Sequence, residues 1–422
     1  MGTLDIKPKK IVVKYGGASL ANSERIQMAV KAVAKEVSKG TRIAVVVSAM
    51  GKATDHLLST VNDASCGAVD RKELDEVLAM GERTSIRIFA AALKASGINT
   101  RYFDPSDPDW PIITDDIFSN ANPILELCSE RIKQHVIPLF ERGIVPVIAG
   151  FVGRTVNGEV TTLGRGGSDT TAFILAKALE ADEVILVTDA DGIMSGDPKI
   201  IKNPQKIREI DVCALVGLAD SGTKFIHRKA LRYKDPHINV RVIACTHGDL
   251  NNNAGTVITG GLSKELDVNV VNASPAISIT VVGQNISNAP VIIKELIEEV
   301  KDHSTLFGLS LDNNSLVLFV PEGKEQELFI NKIHQIVLKH KETIAMAVRR
   351  NLVFLRISGI GLEETPGLIG KISEPLRING INIFGILTNT SSILLFVDWD
   401  EKETALNLIR SSLGLKEGDQ KC

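Results

Sequence analysis

No charge of one sign predominates in this chain. Its 422 residues hold 48 Lys plus Arg against 51 Asp plus Glu, a formal charge of −3. There is therefore no overall electrostatic drive toward nucleic acid or an anionic lipid surface, and any bound anion must be met by local cations. No apolar run approaches the ~18 residues of a membrane helix. The opening Met1-Gly2-Thr3-Leu4-Asp5-Ile6 has no apolar signal core and no hydroxyl residue where a myristoylation signal places one. Neither nucleic acid nor a membrane is expected as a partner. Cysteines are few and scattered: Cys66, Cys128, Cys213, Cys245 and Cys422, without CxxC spacing. That excludes a disulfide framework and a zinc ribbon and fits a reducing cytoplasm. Cys245 and His247 lack further ligands at zinc spacing. Two nucleotide signatures are also missing, the GxxxxGK[ST] loop and a GxGxxG after a strand, which argues against a P-loop enzyme and a standard dinucleotide binder.

What is present is an ordinary folding composition, 44% hydrophobic and 23% charged, in a chain long enough for about three units of roughly 150 residues. Ile11 to Tyr15 reads as a strand ending in Gly16-Gly17. Ile26, Val30, Val33 and Val37 recur at helical spacing, Gly40 supplies a stop, and Ile43 to Ser48 reads as the next buried strand. Val145 to Phe151, Val184 to Thr188 and Ile238 to Ala244 are further strands, with a helix over Ser168 to Leu179. Alternation of this kind predicts an α/β fold with a largely parallel sheet.

Beyond about residue 265 the chain repeats itself. Phe307-Gly308-Leu309 and Leu316 to Val320 match Phe384-Gly385-Ile386 and Ile393 to Val397 at one constant offset, without a gap. Each copy begins with an alternating strand (Ile277 to Gly283; Val353 to Gly359) and continues through a helix (Val291 to Val300; Leu368 to Ile378). Two strands and another helix follow. That order predicts two ferredoxin-like α+β repeats. The expected division is 1–265, then 270–345 and 346–422.

Chemistry is sought in glycine-rich turns, where backbone N–H groups approach a phosphate and a helix start adds a favourable dipole. Lys14-Tyr15-Gly16-Gly17 puts a lysine at a strand end beside two glycines, a pattern that an ordinary tight turn would also produce. Thr161 to Ala172 is more specific: Gly164-Arg165-Gly166-Gly167 leads into a helix with Ser168 or Asp169 near its start. Either could act as an N-cap. Capping needs neither three glycines nor a flanking arginine, whereas anion recognition uses both. Thr188 to Lys199 is a third turn-rich stretch, and it lacks EF-hand spacing.

On these residues the sequence resembles the aspartokinase family of the amino-acid kinase superfamily, with paired C-terminal ACT domains. The resemblance is carried by Lys14 to Ser19, Ser48-Ala49-Met50, Gly81-Glu82-Arg83, Gly150 to Thr155, Gly164 to Ala172, and Thr188 to Gly192. It implies the amino-acid kinase three-layer fold followed by two ACT repeats. It also implies phosphorylation of the L-aspartate side chain by ATP with Mg2+ held mainly by the nucleotide phosphates, the committed step toward lysine, threonine, methionine and diaminopimelate. Carried over residue by residue, Lys14 neutralises the phosphoryl in transit, and Gly16 and Gly17 offer backbone donors. Asp169 fixes Lys14, and Lys224 is a second candidate for it. Arg165 forks a substrate carboxylate and Glu82 faces the substrate ammonium, with Ser48, Thr54 and Ser168 nearby. Thr188, Asp189, Lys199 and Lys224 lie on the nucleotide side. The chain departs from the family pattern at Ala18, Met194 and Arg228.

Such a reaction suits these residues, because a carboxylate with a reference pKa of about 4 is already ionised and needs no general base. Two rivals are a kinase of another carboxylate, such as acetylglutamate, and a silent amino-acid sensor. Against the first, Glu82 has no reason to face an uncharged acylated nitrogen. Against the second stands the joint presence of Lys14, Arg165, Asp169 and Glu82. The resemblance implies a homodimer or larger homo-oligomer built partly through the tail, with lysine or threonine as effector. The first-copy turn Gln284 to Val291 lacks the Pro-Gly step of Gly361 to Leu368, so inhibition by either amino acid is expected to be weak or to depend on substituted first-copy contacts.

Overall fold

The computed structural model describes residues 8–197, 200–219, 226–250, 254–262, 266–359, 362, 366–389 and 392–415. The chain forms two units, Met1–Leu262 and Ser263–Cys422. The first contains β1 (Lys10–Tyr15), α1 (Ser23–Ser38), β2 (Arg42–Val47), α2 (Ala53–Ala64), α3 (Arg71–Ala95), β3 (Thr100–Phe103), α4 (Leu125–His135), α5 (Ile137–Glu141) and β4 (Val145–Ala149). It continues with β5 (Val152–Arg154), β6 (Val160–Thr162), α6 (Gly167–Leu179), β7 (Glu183–Thr188), β8 (Glu209–Asp211), α7 (Val212–Ala219), α8 (Arg228–Leu231), β9 (Asn239–Ala244) and β10 (Thr256–Thr259).

Eight strands form one sheet in the order β3-β4-β2-β1-β7-β9-β10-β8. Every pairing is parallel except that of β9 with β10. Central parallel strands are covered on both faces and so read as continuous apolar runs: Ile11, Val12 and Val13 on β1 and Ile43 to Val47 on β2 are all buried. At about 1.5–3 kcal/mol for each fully buried Val or Ile, these two strands alone anchor the unit. α1 is amphipathic, opens on Asn22, whose side chain accepts from the Arg25 N–H, and ends before Gly40 at φ 84°. α1 and α3 pack together on the β2 side, while α6 lies across β1, β2 and β7 with α4 and α8 against it, giving helix, sheet and helix layers. β5 and β6 form a separate hairpin.

The second unit contains β11 (Asp267–Val270), β12 (Ala276–Gly283), α9 (Pro290–His303), β13 (Gly308–Leu311), β14 (Ser315–Pro321), α10 (Gln326–Lys339) and β15 (Thr343–Ser358). After these come α11 (Leu368–Ile378), β16 (Gly385–Asn389), β17 (Ser392–Asp398) and α12 (Lys402–Ser412). Its strands share one sheet, β13-β14-β12-β15-β17-β16, with β11 also on β15. β15 runs unbroken through residues 345 and 346. Its first part pairs with β12 and its last part with β17 and β11, the change falling near Asn351, which has φ 63°. The first repeat thus completes its sheet with β15. The second takes the equivalent edge strand from β11, upstream of the first copy. The repeated phenylalanines meet: Phe319 and Phe396 stack with centroids 3.8 Å apart, and Phe396 also stacks on Phe354. Each repeated Phe-Gly step is explained here, since a Cβ on Gly385 would lie 2.5 Å from the Phe319 ring and one on Gly308 2.4 Å from Leu387. Among the described residues no helix is long and apolar enough to cross a membrane.

Candidate active site

β1, β2 and β7 end side by side, and in a parallel sheet ligands gather beyond the carboxyl ends of the strands. Lys14 is the penultimate residue of β1, and its Nζ lies 2.6 Å from Asp169 Oδ1 in the first turn of α6. Both side chains are largely enclosed, at 16% and 10% exposure, so the pair is shielded from solvent screening. Such a partner holds the ammonium in one place.

The two glycines after β1 have different reasons. Gly17 admits the 49–51 segment: a Cβ there would stand 2.8 Å from Ala49 O and 2.9 Å from Gly51 O, and Gly51 N–H donates to Gly17 O. Gly16 has an ordinary φ of −72°, and its N–H is already engaged with Val187 O at 3.1 Å. The Gly16 N–H is therefore already spent inside the protein, against the expectation that both glycines offer backbone donors. Ser19 Oγ donates to the same Val187 O, which ties the turn to β7.

α6 begins after Gly166, in the left-handed region at φ 74°, with no side-chain cap. Ser168 and Asp169 are thus inside the first turn and are not caps. Ser48 at the end of β2 donates from Oγ to Ser168 Oγ at 2.9 Å. The next residue, Ala49, donates its N–H to Glu82 Oε1 at 3.0 Å. Glu82, in α3, is 3% exposed and its Oε2 has no hydrogen-bond partner among the described residues. Burial pushes its pKa up to about 7 against the opposing pull of the Ala49 N–H. A buried carboxylate with one open oxygen awaits a cation. Glu82 and Arg83 are not an exposed helix pair, because Arg83 turns to Asp104 and Ser106.

Arg165 is exposed and makes no hydrogen bond or ion pair with the described residues, which leaves its guanidinium fork available. Thr54, half-buried in the first turn of α2, likewise makes no hydrogen bond with them. At the end of β7, Thr188 Oγ1 donates to Asp189 Oδ1 at 3.0 Å. The following turn is pinned by Asp191, which pairs with Lys206 and His247, and these two hold its carboxyl below the usual range. Met194 is half-buried there. Lys199 and Lys224 lie outside the described residues.

Lys14, Ser48, Glu82, Ser168 and Asp169 are therefore joined by three contacts, with Gly17, Thr188 and Asp189 on the neighbouring strand ends. Sequence reasoning missed Asp75, Asn120 and Lys229, which support the Gly164 loop. A signal existed for Asp75, which falls in helical phase with the buried Leu78, Ala79, Glu82 and Ile86.

The amino acid kinase family model matches residues 9–244. The chain is 30% identical to the aspartokinase of Geobacillus stearothermophilus over 421 residues, covering 96% of this chain and 98% of the relative. It is 30% identical to an aspartokinase of Thermus thermophilus, again covering 96% and 98%. Its fold is shared with the aspartate kinase from Synechocystis, at TM-score 0.78 and 24% identity over 98% of this chain and 71% of that one. It is shared also with E. coli aspartokinase III in complex with aspartate and ADP, at TM-score 0.55 and 21% identity over 96% and 100%. With the family model spanning more than half of its length and these relatives nearly all of it, the chain belongs to the aspartokinase branch of the amino acid kinase family.

Proposed function

We propose that this protein transfers the γ-phosphoryl group of MgATP to the β-carboxylate of L-aspartate, giving 4-phospho-L-aspartate. The observation that carries the reading is the chain of contacts from Lys14 through Asp169 and Ser168 to Ser48, Ala49 and Glu82. It puts a fixed cation and an open buried carboxylate into one locale beside an arginine that has no partner among the described residues. Those are the groups a zwitterionic acceptor and a phosphoryl donor require. The aspartokinase relatives along nearly the whole chain support the same reading.

The nucleophile is the substrate's own carboxylate, ionised at neutral pH, so no general base is needed. The obstacle is the approach of two anions. Lys14, held by Asp169, offsets charge that builds on the phosphoryl oxygens, and the free N–H of Gly17 and the α6 N-terminus add donors and dipole. Mg2+ would be held mainly by the nucleotide phosphates and would offset their charge, so it counts with the substrate. Glu82 Oε2 receives the substrate ammonium and Arg165 its α-carboxylate, which leaves the β-carboxylate facing Lys14. Thr188 and Asp189, with Lys199 and Lys224, serve the nucleotide side, and Thr54 edges the acceptor side.

We further infer a cytoplasmic homo-oligomer with residues 1–265 catalytic and the tail repeats regulatory and pairing, lysine or threonine being the effector class. Supporting this are the free thiols of Cys66, Cys128, Cys213 and Cys245 among the described residues and the continuous sheet of the tail. The test is a coupled nucleotide assay offering aspartate, glutamate and acetylglutamate in parallel, with hydroxylamine trapping of the acyl phosphate. Preference for aspartate is expected. Preference for acetylglutamate, or no turnover with all three, overturns the assignment.

A further inference from the structure

Two buried charges of opposite sign grip the loop that carries Arg165, and neither belongs to the contacts described above. Asp75, wholly buried in α3, accepts from Thr162 N–H at 2.9 Å and Thr162 Oγ1 at 2.7 Å. It also accepts from Ser119 N–H at 2.8 Å and Ser119 Oγ at 3.3 Å. Lys229, 6% exposed in α8, donates to the carbonyl oxygens of Leu163 at 2.7 Å, Ala121 at 3.1 Å and Asn120 at 3.2 Å, and to Asn120 Oδ1 at 2.7 Å. The carboxylate therefore takes the donors of two neighbouring segments, 119–121 and 162–163, and the ammonium takes their acceptors. The segments also bond directly, Ala121 N–H to Thr162 O at 2.9 Å. Asn120 Oδ1 occupies the space a Cβ on Gly164 would need, 2.6 Å away, so the backbone turns at Gly164 with φ 72°. Arg165 is the next residue.

α3 carries both Asp75 and Glu82, seven positions and about 10 Å apart along one helix face at 1.5 Å per residue. The helix that presents a carboxylate to the substrate ammonium is thus the helix that holds the arginine loop. Buried hydrogen bonds to charged groups are short and directional, and each charge here bonds both backbone and side-chain groups of the two segments.

We propose that Asp75 and Lys229 are positioning residues that fix Arg165 relative to Glu82, and so set the spacing at which the acceptor's carboxylate and ammonium are read. The proposal rests on the reading of Glu82 and Arg165 as the two ends of the acceptor site.

The test compares Asp75→Asn and Lys229→Met with the parent enzyme in steady-state kinetics and in amide hydrogen exchange. The expected result is faster exchange in 119–121 and 162–167 with α6 beyond residue 170 unchanged, and an aspartate KM raised between about tenfold and 10²-fold, the cost of a remote misplacement of order 1 Å. The ATP KM should stay within about twofold. Unchanged exchange in both segments overturns the clamp. Faster exchange with aspartate and ATP KM moving together, or with only kcat lowered, overturns the positioning role. A parent enzyme that never turns over aspartate would instead defeat the functional reading, and the exchange data would still report on the clamp. Lys229→Arg keeps a charged donor; where it restores slow exchange it should restore the aspartate KM as well, and recovery of one without the other overturns the link between them.

Discussion

Ser48 and Ser168 meet Oγ to Oγ at 2.9 Å, and the residue that follows each one faces a different part of the reaction. Ala49 binds Glu82 and Asp169 binds Lys14. One hydrogen bond between the end of β2 and the start of α6 therefore joins the two ends of the cluster, which the proposed function reads as the acceptor end and the phosphoryl end. Substitutions on either side should separate these two functions.

Lys14→Met removes charge where it matters chiefly as the phosphoryl moves. The variant should lose roughly 10²-fold or more in kcat while aspartate KM changes by no more than a few-fold, the pattern of a transition-state contact. Steady-state kinetics on a variant with intact circular dichroism and thermal melting checks it. A kcat near that of the parent would remove Lys14 from catalysis.

Arg165→Lys keeps the charge and loses the fork. With no internal partner to disturb among the described residues, the change should weaken apparent aspartate affinity by about 1–3 kcal/mol and leave ATP affinity nearly unchanged. Parallel titrations of the two substrates decide it, since a larger loss on ATP would place Arg165 on the phosphate side.

The parallel sheet and α6 were legible because buried strands such as Ile43 to Val47 are uninterrupted apolar runs and the glycine loop precedes an apolar helix. α3 was not, because Asp75, Glu82 and Ser85 interrupt its buried face with polar residues. Asp75 and Lys229 were not singled out because their partners lie far along the chain. Sequence shows which side chains exist but not which carbonyls will surround them. The origin of the second repeat's edge strand was equally hidden: Asp267-Val268-Asn269-Val270 contains nothing that assigns it to the distant copy. The motif did not show which of its two glycines is tightly approached: Gly17 is, while Gly16 has ordinary room and gives its N–H to the carbonyl of Val187 on another strand.

Glu82 makes both stability and substrate binding depend on pH. Burial raises its folded pKa to about 7 from an ordinary 4.5. The folded state therefore holds the proton more tightly, its contribution is full below 4.5, and it is lost as pH rises through about 7. Glu82→Gln abolishes the ionisation and should gain on the order of 3 kcal/mol relative to the parent between pH 5 and pH 8. Denaturant titrations at the two pH values measure this. Aspartate affinity runs the other way, because only ionised Glu82 pairs with the ammonium. KM for aspartate should fall as pH rises through about 7 in the parent, and the glutamine variant should bind weakly at every pH.

Gly17→Ala and Gly16→Ala should differ sharply although the residues are adjacent. At Gly17 the new methyl meets two carbonyl oxygens inside 3.0 Å, and both belong to backbone, which shifts only at a cost that the end of a flexible side chain would not carry. At Gly16 the nearest atom is Val187 O at 3.5 Å and φ is ordinary. Gly17→Ala should push the 49–51 segment outward, costing about 1–3 kcal/mol of stability and a larger share of activity, since Ala49 also holds Glu82. Gly16→Ala should fold and turn over nearly as the parent does. Thermal melts and kcat on the pair give the comparison, and equal losses would refute the steric account.

Control by the tail depends on whether the first-copy turn has donors to give an effector. Gln284 N–H donates to Glu342 O at 2.8 Å, Asn285 N–H reaches Asn314 Oδ1 at 3.4 Å and Ser287 Oγ donates to Asn313 Oδ1 at 3.2 Å. The neighbouring 312–315 turn is closed on itself through Asp312. An amino-acid carboxylate would have to displace these bonds, and an effector acts only through unequal affinity for two conformations. Inhibition by lysine or threonine should therefore be weak, with half-inhibition in the millimolar range or above, equivalent to roughly 4 kcal/mol of binding or less. Inhibition curves with each amino acid, alone and together, test it. Strong cooperative inhibition at sub-millimolar concentration, removed by Asn285→Ala or Ser287→Ala, would show instead that the turn opens to its effector and that its internal bonds are the closed state of a switch.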